Sequence, residues 1–170
     1  AMAYEVSRRN FLKGAAAMTV AAAASTLLAG CSGNDLPDAN TITLSNCSVK
    51  VTDAKTSDNS SIGSDKVTVY LSPVVSISYT GKGSLTLTYA DMFDAELGDA
   101  KITLTNPIQP YNTTIGAITK CTPKFKITDK AVWQSYKEGK LPLKLKVTLD
   151  GNETAKFEIW NTGKITASKA

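Results

Sequence analysis

Four carboxylates, Asp91, Asp94, Glu96 and Asp99, form the densest cluster of chemically capable side chains in this chain of 170 residues. Oxygen-rich loops can hold Ca²⁺, and paired carboxylates can hydrolyse glycosides. Their spacing matches no EF-hand loop, so the stretch reads first as a solvated loop between strands, with calcium and glycoside chemistry as alternatives. Histidine is absent, which excludes an imidazole general base, a Ser-His-Asp triad and His-based metal sites. Arginine occurs only as Arg8 and Arg9. The remaining chain therefore has no guanidinium clamp for phosphate or carboxylate, and nucleic-acid readout lacks its usual bidentate residue. No glycine-rich phosphate loop follows a strand. These absences predict a protein that is not an enzyme, takes no cofactor and binds no nucleic acid.

The N-terminus carries the most specific pattern. Ser7-Arg8-Arg9-Asn10-Phe11-Leu12-Lys13 precedes an uncharged run from Gly14 to Gly30, mostly alanine, that ends at Cys31. A positive start, a moderately apolar middle and small residues before a break make a signal peptide. The run is short and weakly apolar beside the roughly 20 residues of a membrane span. A buried alanine-rich core helix or a permanent anchor would leave the charge and the small residues unexplained.

This segment resembles a bacterial twin-arginine export signal, matching S-R-R-x-F-L-K at every specified position. Leu28-Ala29-Gly30-Cys31 resembles the lipobox of bacterial lipoproteins. Together the two motifs cover about 31 of the 170 residues. The resemblance implies export by the twin-arginine translocase, cleavage between Gly30 and Cys31 by lipoprotein-processing enzymes, and lipidation of the Cys31 sulfur. Stable anchoring takes more than one acyl chain, which a diacylglyceryl group supplies. The mature protein would then be held at a membrane in the cell envelope, outside the cytoplasm, without spanning it. Ser32 stands where, in Gram-negative bacteria, an aspartate would suggest inner-membrane retention.

With Cys31 assigned to lipid, Cys47 and Cys121 remain. An even number in an oxidising compartment suggests one disulfide. Cys47 is in phase with Val49 and Val51, and Cys121 with Phe125 and Ile127, so both sulfurs point inward if each run is one strand. Two buried free thiols are the alternative. The pair is not a C-x-x-C, which argues against a redox role.

Period-2 alternation recurs along the rest of the chain. Val67, Val69 and Leu71 share a face, as do Val75, Ile77 and Tyr79; Leu85, Leu87 and Tyr89; and Ile102 and Leu104. Leu141 to Leu149 alternates with Lys144, Lys146 and Thr148, and Ala155, Phe157 and Ile159 alternate with Lys156 and Glu158. A phase slip between Leu44 and Cys47 suggests a β-bulge at Ser45-Asn46. Thr80-Gly81-Lys82-Gly83 and Asp150-Gly151-Asn152-Glu153 read as hairpin turns. Lys130 to Lys137 reads as the one helix of the mature chain, capped by Asp129 and stopped by Gly139.

This pattern predicts an all-β fold, an immunoglobulin-like two-sheet antiparallel sandwich with one short helix, preceded by a helical signal peptide. The organisation is a signal peptide over residues 1–30, a flexible polar tether over 31–40 and the sandwich over 41–170. The likeness to immunoglobulin domains is architectural, because Trp133 and Trp160 do not supply their Cys…Trp…Cys spacing.

Charge is uneven. Residues 31–119 hold five lysines and nine acids, while residues 120–170 hold eleven lysines and five acids. Lys124, Lys126, Lys144 and Lys146 all take the outward phase, as a basic face toward anionic lipid or wall polymer or as ordinary solubilising lysines. Tyr70, Tyr79, Tyr89, Tyr111, Trp133 and Trp160 are core or rim residues, or platforms for stacking a glycan. The sequence reads as an envelope lipoprotein whose sandwich is a binding or structural module with an envelope protein or glycan partner. An accessory subunit of an envelope transport or redox complex is the nearest rival, and a carboxylate-dependent hydrolase the most distant.

Overall fold

The computed structural model describes residues 39–58 and 67–170. In chain order the strands begin with β1 (Thr41–Thr43), β2 (Cys47–Asp58), β3 (Val69–Tyr79) and β4 (Ser84–Thr88). A single helical turn, α1 (Tyr89–Met92), leads into β5 (Phe93–Leu97), β6 (Ala100–Lys101) and β7 (Thr103–Leu104). There follow β8 (Pro110–Thr114), β9 (Ile118–Cys121), β10 (Phe125–Ile127) and the helix α2 (Lys130–Lys137). The chain ends through β11 (Leu143–Thr148), β12 (Thr154–Ile159) and β13 (Ile165–Lys169).

Two antiparallel sheets carry the fold. One runs β1-β2-β3-β10-β7, with β9 also on β3; the other runs β13-β12-β11-β5-β6. A separate ribbon pairs β4 with β8. The alternation in the sequence dictates the layering: Val49, Val51, Leu71, Ile77 and Phe125 of the first sheet and Phe93, Leu97, Leu145, Val147 and Phe157 of the second join one buried cluster. Burying one face of each sheet on the other is what a one-sided alternation requires. The all-β sandwich expected from the sequence is the fold observed.

The helix forms where its caps place it. Asp129 accepts the Val132 backbone N–H at 3.0 Å, satisfying an orphan donor of the first turn. Gly139 ends the helix at φ +68°, a conformation that favours glycine. Trp133 and Tyr136, three residues apart, share the buried side and stack with ring centroids 5.7 Å apart.

Three local expectations are corrected. Ser45-Asn46 is a hairpin turn, not a bulge: Leu44 N–H donates to the Cys47 carbonyl at 2.7 Å, so the phase slip is the turn between β1 and β2. The bulge lies at Val51/Asp53, where the β2–β3 register shifts. Thr80–Gly83 makes no hairpin, since β3 and β4 belong to different sheets and the turn carries the chain between them. Asp150–Glu153 does close a hairpin, with Leu149 N–H on the Glu153 carbonyl at 3.0 Å.

The third correction is the largest. The stretch Tyr89–Asp99, read as a solvated loop, contains α1 and β5. Asp91 accepts from the Thr88 backbone N–H at 2.9 Å and from the Thr88 hydroxyl at 2.7 Å, which fixes the turn. The chain then enters β5, whose Phe93, Ala95 and Leu97 are buried and whose backbone pairs with the central strand β11. Acids at alternate positions of a strand keep their charge in water while the other face packs.

Candidate functional site

The two remaining cysteines are both buried and unbridged. Cys47 on β2 lies opposite Tyr79, and Cys121 on β9 lies opposite Val75, so they flank β3 from opposite sides. Two inter-strand steps across and four residues along put their Cα atoms roughly 16 Å apart, where a disulfide needs about 4.4–6.8 Å. The expected bridge between Cys47 and Cys121 is therefore corrected. The run 121–127 is two strands broken at Thr122-Pro123-Lys124, yet both sulfurs keep their inward phase; what forbids the bridge is that β2 and β9 pair with opposite sides of β3, which lies between the two cysteines.

The inward phase of both sulfurs is as expected, with 3% and 1% of the residues exposed. Burial pushes each thiol up to about 11, and for Cys47 the carboxylates of Asp150 and Glu153 add to it. A thiol held protonated at neutral pH is a poor nucleophile. Cys47 and Cys121 are expected to resist alkylation in the native protein and both to alkylate after unfolding without reductant, with a melting temperature unchanged by reductant. A linked Cys47–Cys121 peptide in a non-reducing digest would reject this register.

The four acids separate according to the strand that carries them. Asp91 serves the Thr88 turn, Asp94 and Glu96 sit on the outward face of β5, and Asp99 lies in the following turn. Each of the outward acids faces lysine. Lys146 lies opposite Asp94 and Lys144 opposite Glu96, Lys101 approaches Asp94 at 3.5 Å, and the Lys144 ammonium donates to Asp99 at 2.7 Å. That hydrogen bond holds the Asp99 carboxyl below its ordinary range and raises Lys144. Of the aromatic residues, Tyr79, Tyr89, Tyr111 and Trp133 are buried in the core, while Tyr70 and Trp160 are half-buried.

The outer faces of the two sheets differ in charge. On the five-stranded sheet Lys101, Glu96, Lys144, Glu158 and Thr166 stand in one cross-strand row, and Asp94, Lys146, Lys156 and Ser168 in the next. Acids and lysines interleave there, bordering a groove of about 630 Å³. On the six-stranded sheet Lys50, Ser76 and Lys120 form one outward row, and Lys55 pairs with Ser72. Lys126 pairs with Tyr70, and the Lys124 ammonium lies 4.3 Å above the Tyr70 ring. Asp53, opposite Val74, is the one acid in the outward register of β2 and β3 among the described residues.

The four lysines all face outward as their phases require, but on different sheets, Lys124 and Lys126 on one and Lys144 and Lys146 on the other, so the alternative of one basic face built from all four does not hold. Lys50, Lys55 and Lys120 join the first pair. Sequence reasoning missed them because their phases are legible one strand at a time, and only the register brings β2, β9 and β10 to one sheet.

The export and lipidation residues Arg8, Arg9, Leu28, Ala29, Gly30 and Cys31 lie outside the described residues. Residues 5–25 match the signal sequence of the TAT (twin-arginine translocation) pathway, which contains Arg8 and Arg9. No curated protein matches the chain. The crystal structure of a protein assigned as a lipoprotein, ycdA of Bacillus subtilis subsp. subtilis str. 168, is similar with a TM-score of 0.52 over 74% of this chain at 18% identity. The chain spans 39% of that protein's length, and the likeness is one of fold.

Proposed function

We propose that the chain is an envelope lipoprotein, exported by the twin-arginine route and anchored through Cys31, whose sandwich acts as a binding or structural module and not as an enzyme. The observation that carries this reading is the twin-arginine signal running into Leu28-Ala29-Gly30-Cys31. A fold shared with a protein assigned as a lipoprotein supports it. The non-enzymatic part is supported by the fate of the capable side chains. The thiols are buried and protonated, and the acids are spread along β5 opposite lysines.

Each element of the signal has its own test. In the native host the protein is expected to incorporate labelled palmitate and to sediment with membranes. Cys31→Ala is expected to abolish the label and release the protein, while Arg8→Lys with Arg9→Lys is expected to leave unprocessed precursor in the cytoplasm. Palmitate that persists in the Cys31→Ala protein would overturn the lipid assignment.

A further inference from the structure

We propose that the outer face of the six-stranded sheet docks on the anionic headgroups of the membrane to which the chain is tethered, an assignment that rests on the lipid-anchored reading above. The first argument is charge. Among the described residues, Lys50, Lys55, Lys120, Lys124 and Lys126 take outward positions there against Asp53, whereas the opposite sheet interleaves both signs. Lysines that merely protect sheet edges belong on edge strands. Lys50 lies on β2 and Lys126 on β10, both interior in the order β1-β2-β3-β10-β7. Ser76 lies beside Lys50, and Ser48 pairs with Ser78 in the next outward row, short side chains that leave this part of the face low enough for ammonium groups to reach a planar surface.

The second argument is apolar. Ile118 lies opposite Ser78 in the outward register of the same sheet and is 76% exposed, and Ile115 in the turn before it is 64% exposed. An anionic polymer in water would reward the lysines but not two bare isoleucines. A bilayer rewards both, with ammonium groups at the phosphates and aliphatic side chains at the acyl boundary.

The third argument is reach. Thr41 at the start of β1 lies ten residues along the chain from Cys31, a span of at most about 35 Å when extended. A domain held that close meets the surface at a high effective concentration, so a modest intrinsic affinity suffices to orient it.

The test uses the full chain carrying Cys31→Ala, so that no acyl group contributes, and phospholipid vesicles with and without phosphatidylglycerol. Co-sedimentation is expected with phosphatidylcholine–phosphatidylglycerol vesicles and to weaken with salt, and to be far lower with phosphatidylcholine alone. At about fivefold for each lysine lost from a charged interface, Lys120→Gln, Lys124→Gln and Lys126→Gln together are expected to lower partitioning roughly a hundredfold. Ile118→Ser is expected to lower it several-fold, while the triple change to Gln at Lys144, Lys146 and Lys156 on the opposite sheet leaves it unchanged.

Equal loss from both triple variants, no loss from the first, or equal binding to both vesicle types would overturn the docking face. Tighter binding to soluble polyphosphate than to anionic vesicles would overturn it in favour of a polymer ligand. The palmitate label on the unaltered protein reads the anchor separately, so a failed vesicle experiment beside an intact label rejects the docking face alone.

Discussion

Phe125→Ala is expected to destabilise the sandwich by about 3–5 kcal/mol, the range for an aromatic side chain removed from a well-packed interior. Phe125 has no exposed surface. It sits on the short strand β10, opposite Leu71 on one side and Leu104 on the other, so three strands of one sheet close around it while the second sheet packs from above. The cavity has little freedom to collapse, because the flanking side chains belong to backbones held by ladder hydrogen bonds. The measurement is the urea midpoint at unchanged m-value, which isolates stability from a change in the unfolded chain. The neighbouring Lys126→Ala, one residue along and facing outward, is expected to stay within about 0.5 kcal/mol. A loss below about 1 kcal/mol for Phe125→Ala would remove it from the shared core.

The second large effect is alkaline. Cys47 and Cys121 titrate at 9.0 when free of the fold and are pushed up to about 11 within it, chiefly by burial. Their folded-state values lie above the unfolded ones, so the stability they confer is complete below about pH 9 and is lost as pH rises toward 11. In that window the unfolded chain releases protons that the folded chain keeps. The loss is roughly 3–5 kcal/mol for the pair. Burial also raises Tyr89, Tyr136 and Tyr111, the last to about 12, which extends the decline beyond pH 10 with the same sign.

Urea midpoints are therefore expected to be flat from neutral pH to about 9 and then to fall steeply. The double variant Cys47→Ala with Cys121→Ala is expected to start from a lower plateau and to lose much of the slope between pH 9 and 10, where tyrosine contributes least. An unchanged slope in that variant would place the titrating protons elsewhere.

Had the two cysteines been bridged, no thiol would titrate and this window would be empty. The geometry that forbids the bridge is thus the same geometry that predicts the alkaline behaviour. Each sulfur is buried beside β3, yet β3 itself keeps them apart.

Local order was legible wherever a single strand or helix decides it. The alternation of Leu143, Leu145 and Val147 with Lys144 and Lys146 set the inner and outer faces of β11, since a strand turns each successive side chain to the other side. Asp129 and Gly139 bounded α2 because capping is a property of a few consecutive residues. The inward aim of Cys47 and Cys121 followed from phase alone. The same alternation is present in Phe93, Ala95 and Leu97 of β5, but four acids in eleven residues conceal it. Charge on one face of a strand does not oppose strand formation when the other face is packed.

The export signal, the two-sheet class and the face that each strand presents follow from the amino-acid order alone, because all of these are written over short runs of neighbouring residues. The tertiary structure decided which strands lie side by side: that Cys47 and Cys121 fall on opposite flanks of β3, that Lys124 and Lys144 face opposite ways, and that Lys50, Lys55 and Lys120 join Lys126 on one sheet. Pairing is a contest among all strands for the same backbone partners, won through a core that only the assembled sheets bury, and periodicity within one strand carries no record of its neighbour.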